Sequence, residues 1–72
     1  MNIYVINTDE KETFVVESGL SLSMANRLCA KFNKEWSWKF GDDETKLSMI
    51  GYCVSDKDEL SYRQAVILFN KI

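Results

Sequence analysis

The spacing of hydrophobic residues in four short segments indicates β-strands. Residues 2–7 and 12–18 are rich in β-branched and aromatic side chains, and the polar residues between them predict a turn, so the two segments predict an antiparallel hairpin. Aromatic residues alternate with polar ones over 35–40, which predicts a third strand, and 46–54 predicts a fourth strand that pairs back on it. The four strands therefore form two hairpins.

Two further segments repeat their hydrophobic residues with the period of a helix. The first covers about 22–34, and Ser21 or Ser23 can serve as its N-cap. The second covers about 57–71 and starts near Ser55, which an acidic residue follows three positions later, as in a capping box. The apolar face of the first helix carries Ala25, Leu28, Cys29 and Phe32. The apolar face of the second carries Tyr62, Ala65, Val66, Phe69 and Ile72.

These elements follow one another in the order β-β-α-β-β-α. The chain has 72 residues, and no proline-rich, serine-rich or single-sign charged stretch divides it, so we expect a single compact domain over residues 1–72. The simplest arrangement is a small two-layer α+β domain. In this arrangement a largely antiparallel four-stranded sheet packs both helices on one face.

Several strands carry apolar residues in both of their alternating phases. Successive side chains of a strand point to opposite faces, so a sheet with both helices on one side should leave one apolar set uncovered. The second helix also carries apolar residues outside its main face. These side chains predict a surface that a protein partner covers, and the alternative is that strand ends and loops of the domain cover them. The candidate interface consists of Tyr4, Ile6, Ile50, Tyr52, Val54, Leu60, Ile67 and Leu68.

Residues suited to catalysis or metal binding are scarce. The chain has no histidine, and its two cysteines, Cys29 and Cys53, form no CxxC pair, which removes the common zinc patterns and the usual base for a nucleophile. We therefore expect a protein that is not an enzyme and has no catalytic residue, metal or cofactor. Both cysteines lie in apolar segments, as buried free thiols do, although a disulfide between them stays geometrically open. With no signal peptide ahead of the domain, the cytoplasm is the expected compartment.

The charge of the chain is nearly balanced. Nine Lys and Arg against eleven Asp and Glu give a net charge of −2, whereas a protein that binds nucleic acid through phosphates carries a concentrated basic face. The longest apolar run extends from Ala65 to Phe69, far short of the roughly 20 residues that cross a bilayer. The expected partner is another protein or a second copy of the chain. The charge balance disfavours nucleic acid as a partner, and no membrane contact is expected.

Acidic residues cluster in two short segments. Their spacing does not match a calcium-binding loop, and the solvation of turns and the charge preference of a helix N-terminus account for them. The alternative is that they imitate phosphates and occupy the basic groove of a nucleic-acid-handling enzyme. This candidate acidic mimic surface consists of Asp42, Asp43, Glu44, Asp56, Asp58 and Glu59.

An aromatic strand face gives a second functional hypothesis. Aromatic side chains on a sheet can stack the bases of a single-stranded nucleic acid, although the same alternation also suits a core beneath helices. The candidate platform consists of Trp36, Trp38, Phe40 and Tyr52. The basic residues that would surround it are Arg27, Lys31, Lys34 and Lys39.

The sequence thus favours a small non-enzymatic protein-interaction module. It would act as a homodimer, or as an inhibitor or adaptor that docks a larger protein. A short chain without proline that begins at Met1 is compatible with an accessory protein of a phage or mobile element that acts on a host protein. The alternative function is a single-stranded nucleic-acid-binding domain that uses the aromatic sheet face.

Overall fold

The described sheet has three antiparallel strands. The structure is a computed structural model and describes residues 1–36 and 50–71. Strand β1 (Asn2–Asn7) lies in the middle and pairs antiparallel with β2 (Glu12–Glu17) and with β3 (Ile50–Ser55). The strand order is therefore β2-β1-β3.

Two helices, α1 (Leu22–Trp36) and α2 (Tyr62–Asn70), complete the described fold. Each begins after a serine N-cap, Ser21 and Ser61, whose Oγ accepts a hydrogen bond of 3.2 Å from the backbone N–H three residues later. Two helices with an antiparallel sheet confirm the predicted α+β class. Neither described helix has the length and the apolar character needed to cross a membrane.

The two helices lie on opposite faces of the sheet. Ile3 of β1 packs with Ala25 and Cys29 of α1, whereas the next residue, Tyr4, packs in the cluster that contains Phe69 of α2. Because strand residues alternate between faces, both apolar phases of β1 are covered within the molecule. The prediction that both helices share one face is therefore wrong, and α2 covers the face that this prediction left open.

The predicted four-stranded sheet is not confirmed, since the described residues contain three strands. Glu35 and Trp36, at the start of the predicted strand 35–40, form the end of α1, and the rest of that segment lies outside the described residues. Of the predicted strand 46–54, the part from Ile50 onward is confirmed as β3, which extends to Ser55.

Helix α2 begins later than predicted because strands β1 and β2 hold the segment that precedes it. The backbone carbonyl of Lys57 accepts a hydrogen bond from the Tyr4 hydroxyl. The carbonyl of Leu60 accepts one of 2.6 Å from Thr13 Oγ1. Ser55, which the sequence suggested as the cap, is instead the last residue of β3. Long-range bonds thus fix an irregular segment where the local pattern predicted a helix.

A glycine lets α2 pack closely on β3. A Cβ atom at Gly51 would lie 2.6 Å from a ring carbon of Phe69, which is closer than two carbon atoms can approach. The bare backbone of Gly51 therefore accommodates the Phe69 ring, which is buried in the cluster between α2 and the sheet.

Candidate docking surface

The outer edge of β3 is closed by a side chain of α1. The Asn33 amide donates a hydrogen bond of 3.0 Å to the Tyr52 carbonyl, and its oxygen accepts one of 2.8 Å from the Tyr52 N–H. Asn33 is only 1% exposed. At Tyr52, in the centre of the strand, its amide therefore takes the place that a neighbouring strand would occupy, and it blocks pairing of that residue with another chain.

The outer edge of β2 has no such cover in the part of the chain that the structure describes, where β1 is the sole strand paired with β2. Phe14 is 51% exposed, Val15 47% and Val16 42%. Three successive exposed apolar side chains on an edge strand are unusual, because such strands are prone to pair with other chains. We call this surface the open edge and define it by Thr13, Phe14, Val15 and Val16.

The hydrogen bonds of Asn33 also establish which backbone groups of the open edge point outward. Tyr52 lies opposite Val5, and because its N–H and C=O bond to Asn33, they point away from β1. In an antiparallel ladder, Val5 must then direct its own groups toward β2, where Phe14 lies opposite it. Phe14 therefore bonds inward, and Thr13 and Val15 direct their N–H and C=O groups outward.

A bulge and a side-chain hydrogen bond shape the open edge. Ile3 pairs with Glu17 and Tyr4 with Val15, so Val16 is an extra residue in β2. Next to the hairpin, Thr13 Oγ1 bonds to the carbonyl that precedes α2, as described above. The outward backbone groups are thus carried by a strand that is anchored to both β1 and the segment before α2.

The structure places the predicted interface residues in several environments. Tyr4, Ile6 and Leu60 are buried in the cluster beneath α2, and Tyr52 and Val54 pack partly buried against the cluster beneath α1. These five side chains contribute to the core of the chain itself.

Four of the predicted interface residues line one shallow apolar groove of about 460 Å³ beside α2: Val54, Leu60, Ile67 and Leu68. Among them Ile67 is half exposed, at 50%, and Leu68 is partly buried. Ile50 lies in β3, and its side chain is outside what the structure describes. The hypothesis that the eight candidate residues form an interface with a partner stays a prediction.

The described residues of the predicted acidic mimic surface lie in the segment before α2. Asp56, Asp58 and Glu59 are exposed, whereas Asp42, Asp43 and Glu44 lie outside the described residues. Within residues 1–36 and 50–71, no three His, Cys, Asp or Glu side chains come together in a way that could hold a metal ion.

Of the predicted aromatic platform, two residues are described. The Tyr52 ring packs against Phe32 of α1, with ring centroids 5.1 Å apart and planes inclined by 45°. Trp36 is exposed at the end of α1. Trp38, Phe40 and Lys39 lie outside the described residues, and Arg27, Lys31 and Lys34 are exposed on α1. Helix α1 therefore covers part of the Tyr52 ring, through its contact with Phe32.

The two cysteines are free and buried. Burial raises the pKa of the Cys29 thiol from 9.0 to about 11, and a hydrogen bond from Asn33 offsets part of this rise. Burial also raises the pKa of Cys53 to about 12, with a smaller contribution from the nearby Cys29. Both thiols are thus protonated at neutral pH, which makes them poor nucleophiles.

Comparison of the chain with protein-family models, with curated proteins and with solved structures gave no significant match. The candidate surface therefore rests on the residues of this chain alone. Sequence reasoning did not select the open edge, although one signal for it was present. Phe14, Val15 and Val16 follow one another without a polar residue, which is the pattern of a strand that is apolar on both faces.

Proposed function

We propose that this chain is a non-enzymatic protein-interaction module that docks a protein partner by adding a strand to the open edge. In this mode of recognition, main-chain hydrogen bonds supply affinity and the alternate side chains supply specificity. The partner is either a second copy of the chain or a larger protein that the chain inhibits or links to another protein. The larger protein would be a host protein if the chain comes from a phage or mobile element. Its free thiols suit the reducing cytoplasm.

The observation that supports this proposal is the contrast between the two edges of the described sheet. One edge is closed at its centre by the Asn33 amide. The other presents two residues with outward backbone groups, Thr13 and Val15, among side chains that are about half exposed. Natural proteins usually protect an edge strand with charge, proline, a β-bulge or a covering element. The bulge of β2 lies at Val16, and Thr13 and Val15 keep their outward groups ahead of it. An edge that keeps apolar side chains and free pairing positions is suited to a partner strand.

The test compares proteins captured from the organism's lysate by the immobilised wild-type chain and by two variants at one position. Val15→Pro removes an outward N–H and leaves the pairing with β1 intact, because proline is tolerated where the N–H faces solvent. Val15→Thr keeps both the N–H and the β-branched shape, so it is the matched control. We expect a specific protein to bind the wild type and Val15→Thr and to be lost with Val15→Pro.

Three further arms make the result decisive. Circular dichroism must show that Val15→Pro is folded. Nuclease treatment of the lysate should leave the capture unchanged, and loss of capture would favour the nucleic-acid alternative. Ile67→Asp changes a half-exposed residue of the groove beside α2. If this variant loses the partner and Val15→Pro keeps it, the groove and not the open edge is the docking surface.

A further inference from the structure

We infer that the occupant of the open edge is a second copy of this chain, whose β2 pairs antiparallel with β2 about a two-fold axis at Phe14. This inference rests on the proposed function, since it names the partner of the same surface. The two described three-stranded sheets would then join into one continuous sheet. Small domains commonly gain stability by such association, because a chain of this size buries a limited core.

The outward backbone groups restrict how two copies of β2 can pair. In an antiparallel ladder, two residues exchange hydrogen bonds only if both direct their groups toward each other. Thr13 and Val15 are the outward residues of the open edge. When Thr13 lies opposite the partner's Val15, the symmetry also places Val15 opposite the partner's Thr13. This register forms two fully bonded residue pairs on either side of Phe14.

The requirement that paired residues direct their backbone groups toward each other also excludes the register in which Glu12 and Glu17 would repel. Pairing Glu12 with the partner's Glu17 places Thr13 opposite Val16, and this shift by one residue mismatches the inward and outward groups. The hydrogen-bond pattern therefore removes the arrangement that would bring two carboxylates together at each end of the strand pair.

Two other registers satisfy the backbone pattern but oppose less favourable side chains. With Thr13 opposite the partner's Thr13, the apolar Phe14 lies opposite Glu12. With Val15 opposite the partner's Val15, Thr13 lies opposite Glu17. Neither register pairs opposite charges.

The register centred on Phe14 also places an apolar residue, Val16, opposite Glu12, but unlike the other two it adds an aromatic pair and an opposite-charge pair. Phe14 meets Phe14 of the second copy in a non-hydrogen-bonded pair, where side chains approach most closely and aromatic rings pack well. Counted outward from Phe14, Lys11 comes opposite the partner's Glu17 at each end of the strand pair. Both residues are exposed and have long side chains; Lys11 lies in the turn before β2 (φ 56°), and Glu17 lies beside the bulge. The two-fold axis makes this opposite-charge pair twice.

Charge reversal tests this register directly. The single variants K11E and E17K each place like charges at both ends of the strand pair, so each should self-associate more weakly than the wild type. When the two variants are mixed, every end again has opposite charges. Sedimentation equilibrium should therefore show about tenfold weaker dimers for each variant alone and recovery of the wild-type affinity in the mixture.

The pure wild-type chain should sediment at twice its mass of 8.4 kDa as its concentration rises. Val15→Pro should stay monomeric, and Val15→Thr should dimerise. A wild-type chain that is monomeric at every concentration, a dimer that Val15→Pro leaves intact, or a mixture that fails to recover would each overturn the inference. If the pure chain is monomeric yet captures another protein through Val15, the proposed function stands and the second copy is not the occupant.

Discussion

At the scale of single residues, Asn33 shows how a side chain can replace a strand. It lies four residues after Cys29, on the apolar face of α1, where an amide is unexpected. Two of its hydrogen bonds satisfy both backbone groups of Tyr52. A buried amide that satisfies a donor and an acceptor at once stabilises the fold mainly because its loss leaves both groups unpaired.

Asn33→Ala should therefore be strongly destabilising. Removing the amide leaves the Tyr52 N–H and C=O without partners in a partly buried position, and each such group costs about 1–3 kcal/mol. We expect the free energy of unfolding, measured by urea denaturation, to fall by about 3 kcal/mol.

Asn26→Ala is the matched control, because Asn26 is exposed on the same helix, and it should change stability by less than about 0.5 kcal/mol. Equal effects of the two variants would show that the Asn33 amide does not protect the β3 edge.

At the scale of elements, the sequence predicts best what depends on neighbours along the chain. The bounds of β1 agree with the prediction, β2 ends one residue earlier, and the face of α1 with Ala25 and Cys29 is confirmed. The predicted start of α2 was wrong because hydrogen bonds from strands that are distant in sequence hold the segment before the helix. A local capping pattern cannot reveal such bonds.

The sequence left two possible caps for α1, and the structure distinguishes them. Ser21 Oγ accepts the hydrogen bond of the Met24 N–H at 3.2 Å, and the Ser21 carbonyl accepts that of Ala25. Ser21→Ala should lower the free energy of unfolding by about 1 kcal/mol. Ser23 lies inside the helix and is exposed, so Ser23→Ala should be neutral or slightly stabilising. Urea denaturation of both variants checks the assignment, and a larger loss for Ser23→Ala would contradict it.

At the scale of the whole molecule, the sequence offers two explanations for the apolar residues in both strand phases: a protein partner covers one set, or strand ends and loops of the domain cover it. Both assume that the two helices lie on the same side of the sheet. The structure instead places a helix on each face, so Tyr4 and Ile6 are core residues. Periodicity shows which residues share a face but not which helix covers that face. Of the described strands, β2 keeps apolar side chains that are about half exposed, at Phe14, Val15 and Val16 of the open edge.

Helices on both faces also bury the two thiols, and this burial predicts how the stability of the whole fold depends on pH. In the unfolded chain both thiols ionise near 9.0, whereas burial raises the pKa of Cys29 to about 11 and that of Cys53 to about 12. The thiols of the unfolded state therefore lose their protons first as the pH rises. Below pH 9 these groups leave the free energy of unfolding unchanged. From about pH 9 to about pH 11 and above, they lower the free energy of unfolding.

Urea denaturation across this range measures the decrease, and a variant with Cys29→Ala and Cys53→Ala separates its cause. Burial raises the pKa of Tyr52 as well, so the variant should retain a weaker dependence on pH that belongs to the phenol. The difference between the two curves isolates the thiols. If the curves are parallel above pH 9, ionised thiols are tolerated in the folded state, and the two cysteines do not lie in the closed interior between the helices and the sheet.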